Sequence, residues 1–114
     1  MLHFKEKIEP FFWMEYKSCA SLCLIVGKYK AEIFQIRAEE GFEGNGYDWV
    51  SLAKAFIEEK MPELIGIIKF DPESSMFCAY SSNVKALETF ALSFKKACEN
   101  EILIKKLLSK MELD

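Results

Sequence analysis

Residues 39–49 read EEGFEGNGYDW and separate two parts of the chain that differ in pattern. Three of the five glycines, Gly41, Gly44 and Gly46, fall within this stretch, so neither a helix nor a strand is expected to run through it. The chain before it favours strands, whereas the chain after it alternates helices and strands. We therefore predict that residues 39–48, here called the glycine loop, connect two differently built parts of one fold.

Composition restricts the classes of protein to consider. The chain has 114 residues, which predicts a single domain over residues 1–114. It is 51% hydrophobic and 29% charged, as is typical of a globular protein. A net charge of −3 and a pI of about 5.3 argue against a nucleic-acid partner, because phosphate binding needs a basic surface.

The sequence also predicts where the chain resides and which cofactors it lacks. Its start is charged, unlike a signal peptide, and its longest apolar run, Leu22 to Val26, is too short to span a bilayer. We therefore expect a cytoplasmic chain without membrane contact. The four cysteines lack the C-x-x-C pairs of a zinc site and are expected to be free thiols, so we predict no metal and no cofactor.

Alternating or continuous apolar residues predict the strands. Before the glycine loop these are Phe11–Lys17 and Leu22–Val26, and after it Ile65–Phe70 and Met76–Ser81, joined as a hairpin by residues 71–75. Residues 29–37 fit a strand or a helix, and Ile33–Ile36 slightly favours a strand. Alternation in Phe11–Lys17 leaves open which of its two faces is buried.

Three segments have the apolar period of helices. Trp49 begins a stripe that ends near Pro62, with Asp48 predicted as its N-cap. A second helix follows Ser82 or Asn83, and a third covers residues 102–111. The predicted fold class is therefore α+β, with an antiparallel sheet of about five strands and two or three helices packed on one face.

The glycine loop is the best candidate for a binding surface. Its acids have no basic residue between Arg37 and Lys54 to compensate them, so they create a local negative field that can steer a basic protein partner. Trp49 belongs to the apolar stripe of the helix. We favour a buried role in the core over a role in partner binding by about two to one. The turn Asp71–Ser74 forms a second acidic edge. The predicted partner-binding residues are Glu40, Glu43, Asn45, Tyr47 and Asp48, with Trp49 in support.

Other chemistries have weaker support in the sequence. The order of the glycines differs from that of nucleotide-binding loops, and Tyr47-Asp48 follows where a phosphate-binding loop would have Lys and Ser or Thr. The acids do not have the spacing of a calcium loop, and His3 is the only histidine. A small acid/base or metal-dependent enzyme that uses the same acidic loop, and a regulatory protein-binding module, stay open as alternatives.

Three motifs resemble a known family when they are taken together and in order. They are EGFEGNGYDWVSLAKAFIEEKMPEL (40–64), FDPESSMFCAYSS (70–82) and FALSFKKACENE (90–101). The chain from about residue 27 to residue 114 is similar to the immunity protein 51 family of bacterial polymorphic toxin systems. That resemblance implies a cytoplasmic α+β protein without enzymatic activity, which binds and neutralises a cognate toxin domain. It implies no particular interface, oligomeric state or toxin chemistry.

Overall fold

The structure is a computed structural model that describes residues 3–112. Its centre is an antiparallel sheet with the strand order β1-β2-β4-β3. The sheet contains four strands among the described residues, where about five were predicted, and the α+β class is confirmed. The strands are β1 (Phe12–Tyr16), β2 (Cys19–Ile25), β3 (Lys69–Phe70) and β4 (Met76–Ser81).

The helices of the described residues outnumber the two or three that the sequence predicted. One helical turn near the start, α1, lies in a region whose pattern was too charged to interpret. The three predicted helices are present, and each begins at an asparagine whose side chain accepts a hydrogen bond from a backbone N–H of the first turn. The elements are α1 (Phe4–Lys7), α2 (Gly46–Lys60), α3 (Val84–Cys98) and α4 (Glu101–Lys110), with 3-10 segments at Ala31–Glu40 and Pro62–Leu64.

The sheet is covered by helices on one face only. Residues in register across an antiparallel pair point to the same side, so the row Trp13, Leu22 and Ala79 shares a face, and all three are buried. The opposite side, here called the open face, carries mainly apolar side chains that are exposed or half-buried, apart from the buried Cys23. Its members are Phe12, Met14, Tyr16, Cys19, Ser21, Cys23, Ile25, Lys69, Met76, Cys78 and Tyr80.

Trp49 lies at the centre of an aromatic core between the sheet and the helices. Its side chain is 0% exposed, and its ring is surrounded by aromatic rings from five other parts of the chain at centroid distances of 5.4 to 6.4 Å. Most of these pairs are tilted or edge-to-face, which is the favoured geometry of aromatic contacts. The surrounding rings are those of Phe11, Tyr29, Phe34, Phe77 and Phe94.

Residues 31–40 form a 3-10 segment, so the strand favoured for residues 29–37 is wrong. Ile33 and Phe34 are consecutive and both buried. In a strand, consecutive side chains point to opposite faces, and a sheet covered on one side cannot bury both. A helical turn places neighbouring residues on adjacent positions of one surface, which lets both side chains enter the same core.

The strand predicted for Ile65–Phe70 is also shorter than expected. Only Lys69–Phe70 pairs with β4, and these two strands with residues 71–75 make the predicted hairpin. Gly66 has φ +84°, a left-handed conformation that interrupts an extended chain. The backbone N–H groups of Ile67 and Ile68 both donate to the carbonyl of Leu64, which completes a turn where a strand was predicted.

Arg37 joins the 3-10 segment to the end of α4. One guanidinium nitrogen donates to the carbonyl oxygens of Leu108 and Met111, each at 2.8 Å. These carbonyls lie at the C-terminus of a helix, where backbone acceptors lack partners and a cation is favoured. The same guanidinium lies over the Phe42 ring, with 4.6 Å between Cζ and the ring centroid. Arg37 therefore fixes the start of the glycine loop against the C-terminal helix.

We expect Arg37→Ala to lower the free energy of unfolding by about 2 kcal/mol, because two helix-end carbonyls lose a charged donor. Urea denaturation followed by circular dichroism measures this change. Glu40→Gln is the matched control, since it removes only the exposed carboxylate that also pairs with Arg37, and we expect its midpoint to stay close to that of the wild type. Equal midpoints for the two variants would show that the helix-end contacts contribute nothing.

Candidate functional site

The glycine loop is held in shape by the buried carboxylate of Asp48. Its Oδ2 accepts hydrogen bonds from the backbone N–H groups of Glu43 and Gly44, both at 2.7 Å, and from that of Asn45 at 3.4 Å. Asn45 Oδ1 accepts in return from the Asp48 N–H at 2.9 Å. The N-cap of α2 is therefore Asn45, and Asp48 occupies the third helical position of a reciprocal capping pair. The prediction of Asp48 as the cap was displaced by three residues, because Asn and Asp both favour the N-cap position.

Gly46 brings the loop into contact with the β3–β4 turn. Its backbone N–H donates to the carbonyl of Ser74 at 3.0 Å. A Cβ at this position would lie 1.8 Å from the carbonyl oxygen of Glu73 and 2.4 Å from that of Met76. No side chain fits in that space, so the close approach of the two backbones requires glycine. The two acidic segments that the sequence singled out are therefore neighbours in space.

The predicted site residues divide into exposed and buried groups. Glu40, Glu43 and Tyr47 are exposed, the last at 46%, and Asn45 is half-buried. The side chains of Asp48 and Trp49 are buried, so they shape the loop from inside the fold. The structure thus places Glu43 and Asn45 around the Asp48 carboxylate and Tyr47 in the first turn of α2. Glu40 instead ends the 3-10 segment, and Trp49 lies in the core.

Glu40 differs from the other loop acids because it is paired. Its carboxylate accepts from Arg37 at 2.6 and 2.9 Å. The hydrogen bond from Arg37 lowers the pKa of Glu40, and the same contact raises the pKa of Arg37. Among residues 3–112, Glu39, Glu43, Asp71 and Glu73 are exposed acids of the loop and turn that form no such ion pair. The negative field of this region therefore comes from these four residues more than from Glu40.

The open face is a second candidate surface, and the sequence did not identify it. Tyr16 is 74% exposed, Ile25 61% and Met14 50%, and their side chains lie on the same side of adjacent strands. Adjacent apolar side chains exposed in this way are typical of interaction surfaces. The alternation of Phe12, Met14 and Tyr16 was a usable signal, but Phe11 and Trp13 make the opposite side of the predicted strand equally aromatic.

The open face and the glycine loop meet at one end of the sheet. Met76 is in register with Ile25 on the open face, and its carbonyl is one of the two that close on Gly46. The backbone N–H of Val26 donates to Ser75 at 3.1 Å, which places the end of β2 beside the same turn. The acidic loop and turn therefore form a border to the apolar face.

A groove between α2 and α4 is charged rather than apolar. It has a volume of about 360 Å³, and Glu59 on its wall is close to Lys106 and Lys110. Hydrogen bonds from these two lysines lower the pKa of Glu59 to about 2.

In the part of the chain that the structure describes, no group of three or more His, Cys, Asp or Glu residues is arranged to hold a metal ion. Within residues 3–112, no helix has the length and apolar character to cross a bilayer.

Comparison with known families identifies the class of protein. The family model described as Immunity protein 51 matches residues 11–113, which is nearly the whole chain. The chain therefore belongs to the Immunity protein 51 family, as its motifs indicated, and its general role is immunity to a toxin. No curated protein and no solved structure matches the chain.

The contact of Gly46 with the β3–β4 turn generates a stability prediction. We expect Gly46→Ala to destabilise the fold by about 3 kcal/mol, because the new methyl group would overlap two backbone carbonyls that cannot move independently. Urea denaturation measures the loss. Gly66→Ala is the control: it has φ +84° with no atom near its Cβ position, so it should cost only about 1 kcal/mol of backbone strain. Similar midpoints for both variants would contradict the predicted overlap.

Proposed function

We propose that the chain is a bacterial immunity protein without enzymatic activity, which acts in the cytoplasm by binding and occluding the toxin domain of a cognate polymorphic toxin. The observation that carries this proposal is the family match over residues 11–113. The binding surface we propose is the exposed part of the glycine loop, together with the adjoining β3–β4 turn and the nearby end of the open face. Asp48 and Trp49 hold this surface in place from below.

The fixed shape of the loop supports this surface. The Asp48 carboxylate binds three backbone N–H groups, and Gly46 is packed against a neighbouring backbone, so the loop is already ordered before any partner arrives. Binding through an ordered loop loses less conformational entropy than binding through a flexible one. This arrangement suits a protein that must inhibit its partner quickly.

The charge of the loop and turn supports a basic partner. Glu39, Glu43, Asp71 and Glu73 are exposed and form no ion pair among residues 3–112. Such a field attracts a positively charged surface, for example the substrate groove of a nuclease toxin, and accelerates the encounter. A loop that covers that groove would exclude the substrate.

The area that a stable complex needs supports the extension onto the open face. A standard interface buries about 800 Å² on each partner, which is more than one short loop supplies. Tyr47 gives the loop an exposed aromatic ring, the kind of side chain that often dominates binding energy. Ile25 and Met76 continue the apolar surface from the loop onto the sheet.

Charge reversal at Glu43 and Glu73 tests the proposed surface. The toxin domain encoded at the same locus is the partner, and stopped-flow mixing at low salt measures the association rate constant. We expect the variant with Glu43→Lys and Glu73→Lys to associate about tenfold more slowly than the wild type, and the difference to shrink as salt screens the charges. A second variant, Tyr47→Ala, should dissociate faster because it loses an aromatic contact.

The matched control reverses two exposed acids outside the loop and the turn, with Glu63→Lys and Glu88→Lys. This control changes the net charge by the same amount, so it should slow association by less than about twofold. If the loop variants and the control associate and dissociate alike while the wild type binds the toxin domain, the surface is elsewhere. If the wild type neither binds nor protects cells that express this toxin, the proposed function itself is wrong.

A further inference from the structure

Two cysteines face each other across the two central strands of the sheet. Cys23 in β2 and Cys78 in β4 are in register, and their Sγ atoms are 3.6 Å apart. Both side chains belong to the open face, whereas Cys98 is buried in α3. Cys19 is exposed, and its partner in register on β1 is Tyr16. Of the four cysteines, Cys23 and Cys78 are therefore the two that face each other in the sheet.

The backbone at this pair has the geometry that a disulfide requires. Val26 N–H donates to Ser75 O, so the Val26–Ser75 position is a hydrogen-bonded pair of the β2–β4 ladder. Hydrogen-bonded and non-hydrogen-bonded pairs alternate along an antiparallel ladder, which makes Cys23–Cys78, three positions away, a non-hydrogen-bonded pair. At such positions the Cα atoms are about 4.5 Å apart, within the range of about 4.4–6.8 Å that disulfides span. Closure therefore requires side-chain rotation without movement of the strands.

The two thiols differ in access and in acidity. Cys78 is half-buried and reachable from the open face, whereas Cys23 is fully buried between its neighbours. The Cys23 S–H donates to Cys78 Sγ. That hydrogen bond lowers the pKa of Cys78 and raises the pKa of Cys23. Cys78 is therefore the more accessible of the two thiols to an oxidant, and it is also the better nucleophile.

We propose that Cys23 and Cys78 form a reversible redox pair, closed by a peroxide and reopened by a thiol reductant. The Cys78 thiolate attacks one oxygen of hydrogen peroxide, and the O–O bond breaks to give a sulfenic acid and hydroxide, which takes a proton to become water. Cys23 then attacks the Cys78 sulfur and loses its proton, and the sulfenic oxygen leaves as a second water. In total two thiols and one peroxide give one disulfide and two waters, with two electrons passing from sulfur to oxygen.

A Cys23–Cys78 disulfide would cross-link the centre of the open face. The bond links residues 55 positions apart in the chain and joins β2 to β4, the two central strands of the sheet. A cross-link that closes so long a loop restricts the unfolded chain and raises stability. This inference does not depend on which surface binds a toxin, because it rests on the thiol pair alone.

Mass spectrometry of the oxidised wild-type chain tests the proposal directly. The folded protein is treated with hydrogen peroxide at neutral pH, denatured, alkylated with iodoacetamide and digested. We expect Cys23 and Cys78 to resist alkylation and to appear in one cross-linked peptide, whereas Cys19 and Cys98 become alkylated. The melting temperature should rise by at least about 5 °C and return to its starting value after treatment with dithiothreitol.

Two single variants complete the test. Cys23→Ser should leave Cys78 to form a sulfenic acid that dimedone traps, with no rise in melting temperature. Cys19→Ser is the matched control on the same strand and should still form the cross-link. The proposal is overturned if oxidised wild-type protein keeps Cys23 and Cys78 open to alkylation. It is equally overturned if the only disulfides join Cys19 residues of different molecules, since the facing pair would then be unreactive.

Discussion

The Asp48 carboxylate is the contact on which the arrangement of this protein depends. It gathers three backbone N–H groups of the glycine loop at the point where the chain enters α2. A buried acceptor satisfied by backbone donors fixes the direction of the helix as well as the shape of the loop. Because Trp49 is the next residue, the same contact delivers the indole ring to the centre of the aromatic core. Loop and core are therefore set by one local interaction.

The one-sided sheet gives this small chain both a buried core and a broad exposed surface with apolar side chains. The helices bury one face of the sheet and leave the other face with exposed Met14, Tyr16 and Ile25. The uncovered face meets the acidic loop at Met76, so apolar area and negative charge adjoin. The facing thiols of Cys23 and Cys78 lie within the same surface.

Local patterns were sufficient for the elements whose burial follows a simple period. The stripe that begins at Trp49, the helix starts near Asn83 and Asn100, and the hairpin around residues 71–75 all appear in the structure as predicted. Residues 29–37 slightly favoured a strand because β-branched and aromatic residues prefer strands when no neighbour is considered, but Ala31–Glu40 forms a 3-10 segment. In the fold, the need to bury two consecutive side chains in one core outweighs that preference.

The sequence by itself determined the α+β class, the family and the position of the acidic loop, because these follow from composition, period and motif order. Only the tertiary structure decided which loop acids reach the surface and which side of β1 faces the core. Each side of β1 carries aromatic side chains, so the alternation alone does not show which side is buried. The contacts of Phe11 with Phe77 and Phe94 make the choice. Such contacts join residues far apart in sequence, and no local pattern encodes them.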